Sequence, residues 1–201
     1  MHKILIGLTG KYCAGKNHVA LLIEKRGIPV LDVDKLGHLV IEMEKERLVA
    51  RFGGGILGKD GLVDRKALGA KVFGRPEELA ALEGIVHPGA NRETLAWIKC
   101  QKGKVCVINA ALLHRSIVFD ELDAILLVEA PFITRLLRAK ERDHLPWPAL
   151  IKRFQSQSKF NSQYFKGETD IYRVYNPLGY KISGKRLENR IDEILSLLGI
   201  K

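Results

Sequence analysis

Residues 7–18 read GLTGKYCAGKNH, and Gly10, Gly15 and Lys16 within them satisfy the spacing G-x4-G-K. That pattern suits phosphate binding. Glycines let the backbone wrap closely and turn its N–H groups onto an anion. A helix N-terminus adds partial positive charge, and the Lys16 ammonium adds a full one. The candidate nucleotide-binding set is therefore Gly10, Lys11, Tyr12, Cys13, Ala14, Gly15, Lys16, Asn17 and His18. The position after the lysine normally carries Ser or Thr, whose hydroxyl binds magnesium. Here it is Asn17, whose amide oxygen is left to do that work. Cys13 sits where a thiol pKa can be lowered, or it simply fills a gap with a small side chain. A second chemical stretch is Asp32-Val33-Asp34. At a strand's C-terminal end these carboxylates would lie on the rim where open α/β sheets bind ligands, and period-two geometry would put both on one side. Each has a second reading, as the cap of the helix that follows. His87, just before Pro88, is read either as a substrate contact or as a satisfied structural histidine. Arg135, Arg138, Lys140 and Arg142 form the one local basic cluster.

These residues need elements to hold them. Ile4–Ile6 reads as a buried strand before the loop; Val19, Leu22 and Ile23 follow at helical spacing, and Gly27 can stop that helix. So the loop lies between strand and helix, the context the motif requires. A second strand spans Ile28–Leu31, and one helix is expected from about Lys35 to Phe52, closed by Gly53-Gly54-Gly55. Asp64 can cap a helix holding Ala67, Leu68, Val72 and Phe73. Pro76 can begin another, and Pro88 a third that reaches Gly103. A plain crossover needs only about a dozen residues, so this excess of helix reads as a substrate-binding insertion. Lys104–Asn109 and Ala124–Glu129 are strands three and four; the third ends in Asn109, where enzymes with such a loop often hold magnesium with Asp. A helix opened by Pro131 and one through Leu150, Ile151 and Phe154 flank the prolines around Trp147, a lid rich in Arg or else a solvated basic face. Tyr172–Tyr175 is a fifth strand, Asn176-Pro177-Leu178-Gly179 a turn, and Ser183 the expected cap of the last helix. This order predicts a parallel sheet with helices on both faces.

The 201 residues fit one domain, and an apolar share of 46% supports a core. No apolar run is long enough to cross a bilayer. No signal peptide is expected ahead of the first strand. Cys13, Cys100 and Cys106 are odd in number and lack metal-ligand spacing, which points to a reducing, cytoplasmic setting. The net charge of +10 admits nucleic acid, a membrane surface or small polyanions. The basic residues are spread out without an aromatic platform, so small polyphosphates explain it best.

With these segments in view, nearly the whole chain resembles dephospho-CoA kinase. The loop GLTGKYCAGKN is similar to that family's L-T-G-x4-G-K-S/T. Gly27–Asp34 resembles G-x-x-V-x-D-A-D. Phe52-Gly53, Gly61–Arg65, Leu68 and Val72-Phe73 follow in order, then Leu82–Pro88 as L-E-x-I-x-H-P. Arg142-Asp143 with Arg153 and Gln157, and more weakly Asp170 with Asn176 and Gly179, complete it. The resemblance implies an α/β, P-loop kinase-like three-layer fold: a five-stranded parallel sheet, a helical insertion and a helical lid. It implies one domain over 1–201, with a core of 1–34, 104–131 and 170–201, a CoA-binding insertion over about 35–103 and a lid over about 132–169. It further implies ATP as phosphoryl donor with Mg2+, and dephospho-CoA as acceptor through its ribose 3′-hydroxyl. Lys16 would hold the β- and γ-phosphates, Asp34 would be the general base, Arg65 and His87 would touch the acceptor, and Arg142 would reach over the phosphates. Asn17 and Asp32 would be the metal ligands. The protein would be a monomer or weak homo-oligomer that engages neither nucleic acid nor membrane.

Four positions depart from the family pattern. Asn17 replaces Ser/Thr, and Asn109 stands where many relatives have Asp. Ala111-Leu112-Leu113-His114-Arg115 replaces P-L-L-x-E, losing a proline and reversing a charge. Magnesium prefers hard oxygen ligands, so two charge-poor positions should weaken its site. They leave room for two rivals: another small-molecule or nucleotide kinase on the same fold, and a non-catalytic protein that binds CoA or nucleotide.

Overall fold

The computed structural model describes residues 3–155, 164, 169–177 and 180–200, apart from the side chains of 180–184. Gln157, part of the lid, Leu178, Gly179 and the Ser183 side chain lie outside the described residues.

Five strands form the sheet: β1 (Ile4–Gly10), β2 (Val30–Asp32), β3 (Val105–Asn109), β4 (Ala124–Glu129) and β5 (Asp170–Tyr175), in the order β2-β3-β1-β4-β5. β1 runs parallel to both β3 and β4, and β4 parallel to β5. The central strands read as unbroken apolar runs because both faces are covered. On one face Ile6, Leu8, Val107, Leu126, Val128 and Val174 meet α1 (Lys16–Glu24) and α8 (Tyr180–Leu197) through Val19, Leu22, Ile23, Leu187, Ile191 and Ile194. Each such side chain contributes ~1.5–3 kcal/mol on burial. The other face leaves no room at Gly7, where a Cβ would stand 2.5 Å from Leu113 and 2.8 Å from Leu122. The register sets Leu8 beside Asn109 and Gly10 beside Val128. The C-terminal ends of β1, β3 and β4 thus share one edge, and the phosphate-binding loop leaves from it. The chain has the α/β architecture of P-loop kinases, a five-stranded parallel sheet with helices.

Two compact units divide the chain, residues 1–31 with 101–201, and residues 32–100. The second holds α2 (Val33–Met43), α3 (Lys45–Phe52), α4 (Arg65–Val72) and α5 (Pro76–Cys100). Its core is Leu48, Phe52, Ile56, Leu68 and Val72, with Leu82, Ile85 and Val86 packed against them. Asp64 caps α4, its Oδ1 accepting from the N–H groups of Lys66 (2.8 Å) and Ala67 (3.2 Å). In the first unit α6 (Phe132–Asp143) and α7 (Trp147–Gln155) lie on either side of Pro146, but α7 already contains Pro148 in its first turn, where proline is tolerated, so only the first of the two prolines falls in the break.

Several boundaries differ from expectation. The helix expected over Lys35–Phe52 is two, parted at Glu44 (φ −93°, ψ 16°). Glu44 leaves the helical path with its carboxylate held by Arg47 at 3.0 Å and Arg92 at 3.7 Å, a distant partner that periodicity does not reveal. Conversely, the two helices expected at Pro76 and Pro88 are one. Proline costs an interior helix ~3 kcal/mol, and packing offsets that here. At Gly89, next to Pro88, a Cβ would lie 2.7 Å from Val40, so α2 presses against α5 beside the missing hydrogen bond. β5 begins two residues before Tyr172, since Asp170 already pairs with Ala124. The last helix begins at Tyr180, ahead of Ser183, which therefore does not cap it.

Candidate active site

β1 delivers the loop and glycine makes the delivery possible. A Cβ on Gly10 would stand 2.6 Å from the Val128 carbonyl oxygen, so any other residue would push β1 off β4. Beyond it the Ala14 N–H donates to the Lys11 carbonyl (2.9 Å), closing a tight turn. Cys13 (φ 58°) and Gly15 (φ 95°) both take left-handed backbone conformations. Two loop carbonyls point at fixed donors. The Tyr12 oxygen accepts from Arg135 Nη1 (3.4 Å), and the Ala14 oxygen from Asn176 Nδ2 (2.9 Å) and Arg138 Nη1 (3.3 Å). A trans peptide points its C=O and the next N–H in opposite directions. With the carbonyls of Tyr12 and Ala14 pulled toward the arginines, the N–H groups of Cys13 and Gly15 face the other way. Gly15 is also the N-cap of α1 and supplies no capping side chain, which leaves that end suited to an anion. Lys16 opens α1.

Asn176 fixes this arrangement. It is buried, its N–H donates to the Glu129 carbonyl (2.7 Å), and its own carbonyl and Oδ1 accept from Arg138 at 3.3 and 3.4 Å. Arg135 and Arg138 both have pKa values drawn below the usual guanidinium range by burial; guanidinium remains charged in proteins nonetheless. The Cys13 thiol lies among four arginines, yet its pKa is raised: burial outweighs the attraction of Arg142, Arg135, Arg138 and Arg153. The lowered value the loop setting allowed for is not found.

Helices α6 and α7 supply the remaining charge. Asp143 closes α6, and its carboxylate takes Arg142 Nε at 2.7 Å and Arg153 Nη1 at 3.0 Å. The Tyr12 hydroxyl donates to the same carboxylate. The Tyr12 ring packs edge-on against Phe154 (5.4 Å between centroids), and Phe154 against Phe132 (5.2 Å).

Asn109 Nδ2 donates to Asn17 Oδ1 at 3.4 Å, so two of the four residues that depart from the family pattern touch. Asn109 is 2% exposed, and its Oδ1 is buried without a donor among the described residues. Behind the loop the buried Tyr164 hydroxyl meets Thr9 Oγ1 (3.4 Å) and His114 Nδ1 (3.2 Å). Burial, then Arg115, lowers the His114 pKa.

The other candidates belong to the second unit. Asp32 is the N-cap of α2, its Oδ1 accepting from the Lys35 N–H at 3.1 Å. Of its two readings, capping is realised. Asp34 is then in the first helical turn, not on the strand, and the expectation that period-two geometry aligns it with Asp32 is corrected: the cap turns the backbone helical at Val33. Asp34 lies one turn before His38 on the same face of α2. His38 lines a cavity of about 760 Å³ with Leu39, Glu42, Asp60, Asp64 and Arg65. His87 is exposed on α5. Thus the structure gathers Gly10 to Asn17 with Asn109 and Arg142 in one unit, and Arg65 with the cavity in the other. Sequence reasoning missed Asn176 as the anchor of the loop and Asp143 as the holder of the arginines. Asn176 had registered only as part of a turn and as a weak element of the family resemblance, with no role attached.

A family model for dephospho-CoA kinase matches residues 4–168. The dephospho-CoA kinase of Halalkalibacterium halodurans is 35% identical over 170 residues, 80% of this chain and 83% of that protein. The crystal structure of TT1252 from Thermus thermophilus superposes with a TM-score of 0.83 at 31% identity, covering 98% of this chain and 99% of that one. Dephospho-CoA kinase from Campylobacter jejuni shares the fold at a TM-score of 0.70 and 21% identity, with 96% of each chain covered.

Proposed function

The chain belongs to the dephospho-CoA kinase family, and from that membership we propose how its residues divide the work. The reaction is transfer of the terminal phosphoryl group of ATP to the ribose 3′-hydroxyl of dephospho-CoA, giving coenzyme A and ADP. Phosphoryl transfer asks a protein for position and charge neutralisation more than for covalent chemistry. The observation that carries the reading is the loop whose carbonyls at Tyr12 and Ala14 are tied to Arg135, Asn176 and Arg138. That tying commits the opposed N–H groups to an anion before one arrives, so no reorganisation is needed at the moment of reaction.

In this reading Lys16 neutralises the β- and γ-phosphates, and Gly10 to His18 wrap them. Asp34 accepts the proton of the 3′-hydroxyl as general base. Arg142 meets the charge that develops on the phosphoryl oxygens. Arg65 and His87 hold the acceptor, and the cavity beside Arg65 supports placing it against residues 35–103. Mg2+ belongs to the proposal as well. The donors suit a hard cation in kind, with the Asn17 Oδ1 and a buried, donorless Asn109 Oδ1, though both are neutral. Asn17 would hold the ion. When bound, it would neutralise phosphate charge. We place the reaction in the cytoplasm, with ATP and dephospho-CoA as partners of a monomer or weak homo-oligomer. Among the described residues no helix is long and apolar enough to cross a membrane.

The test is ADP release with ATP and dephospho-CoA, set beside nucleoside monophosphates, over magnesium and manganese. Turnover should be specific to dephospho-CoA. Preference for a nucleoside monophosphate would refute the acceptor, and binding without ADP release at either metal would refute the activity.

A further inference from the structure

Four arginines surround the phosphate-binding loop, and they divide into two pairs. Arg135 and Arg138 are committed to loop and Asn176 oxygens. Arg142 and Arg153 are 61% and 54% exposed, and they converge on one carboxylate, Asp143, itself 15% exposed. A third donor joins them there from the loop itself, the Tyr12 hydroxyl. Arg153 Nη1 also donates to that hydroxyl at 3.2 Å. The Arg142 guanidinium stands over the Tyr12 ring at 5.1 Å from its centroid, and that of Arg153 at 5.8 Å. One aromatic side chain of the loop is therefore the surface on which both exposed guanidinium groups rest. The motif G-x4-G-K does not require an aromatic residue at this position, so the loop's own task does not account for it.

We propose that Tyr12 is a positioning residue for phosphoryl transfer: it ties the loop to Asp143 and thereby holds Arg142 and Arg153 over the phosphates. This rests on the transfer reaction given above. The physical need is plain. A long, exposed arginine loses much rotamer freedom on meeting a phosphate. A charge-assisted hydrogen bond and a cation–π face that restrict it beforehand remove part of that cost. The two catalytic parts, loop and lid, are then in register when the nucleotide arrives. Tyr12 acts through the arginines, so its effect should appear where the terminal phosphoryl group is concerned and not in nucleotide binding as a whole.

The experiment compares wild type, Tyr12→Phe, Arg142→Ala and the double variant. Binding of ADP and of a non-hydrolysable ATP analogue is measured by calorimetry, and turnover with ATP and dephospho-CoA in parallel. Tyr12→Phe keeps the ring and deletes the hydroxyl. It should weaken the analogue about fivefold while leaving ADP within about twofold, and lower kcat about tenfold, the order of one hydrogen bond to a charged group. In the Arg142→Ala background the same change should cost clearly less, since the partner is gone. Equal losses for ADP and analogue would mean a merely structural role, and full additivity with Arg142→Ala, or unchanged kcat, would equally overturn the proposal. The predicted nucleotide pattern without turnover of dephospho-CoA would instead refute the acceptor and leave the role of Tyr12 standing.

Discussion

Replacing Gly15 with alanine tests the loop at its most constrained point. Gly15 has φ 95° and ψ 26°, a region that costs an L residue roughly 1–2 kcal/mol. The new methyl would lie 2.1 Å from Asn176 Nδ2. Asn176 must move, and its 2.9 Å hydrogen bond to the Ala14 carbonyl is lost, which costs about 1 kcal/mol more. The expected destabilisation is therefore roughly 2–3 kcal/mol, or a Tm lowered by about 4–12 °C for a chain of this size. The second component depends on Asn176 alone. In an Asn176→Ala background the methyl finds no amide, and Gly15→Ala should cost only the roughly 1–2 kcal/mol of backbone strain. Urea titrations of the four proteins give the coupling directly. The expected value of about 1 kcal/mol exceeds the ~0.3–0.5 kcal/mol scatter of independent sites. Equal costs in the two backgrounds would refute the idea that Asn176 shapes the loop. Nucleotide affinity should fall in Gly15→Ala as well, since the Gly15 N–H is one of those aimed at the anion.

Asp34→Asn should lower kcat by on the order of a hundredfold or more with nucleotide binding intact, as loss of a general base requires; near-normal turnover would remove that role. Asn109→Asp places a carboxylate beside Asn17, and it should tighten Mn2+ binding in the presence of ADP severalfold, read from the free-ion paramagnetic signal. An unchanged signal would separate Asn109 from the metal. Asn17→Ser should not lower turnover severalfold, and a large loss would give Asn17 a role of its own. Burial raises the Cys13 pKa above its ordinary value of 9.0, so less thiolate is present at any pH below it. Alkylation of Cys13 by iodoacetamide, mapped by mass spectrometry, should be slow at neutral pH and reach its half-maximal rate only above pH 9.0; a midpoint below that value would contradict the raised pKa.

Local signals carried much of this molecule. The apolar runs at Val105–Asn109 and Ala124–Glu129 needed no partner to be read as strands, and the Gly-Lys spacing marked the loop because its function demands those residues next to one another. The failures share a cause. Glu44 breaks a helix through Arg92, and Pro88 fails to break one beside Gly89 and Val40. Both outcomes are decided by residues dozens of positions away. Asp34 was misplaced for a nearer reason: a cap and a strand end call for the same residue type, and only the hydrogen bond from Lys35 shows that the helix begins at once after Asp32. Asn176 was hidden most completely, since a single amide before a proline resembles any turn. Its work is visible only once β5 has carried it alongside the loop.

That amide lies 162 positions beyond the carbonyl it holds. During synthesis the amino-terminal loop therefore emerges long before the residue that gives it its shape. A nascent chain can have β1 and α1 in place and still own no grip for a nucleotide, because the backing arrives only with Asn176. Competence to bind thus waits on synthesis past Asn176, and a fragment cut short of that residue would carry the phosphate motif as letters only.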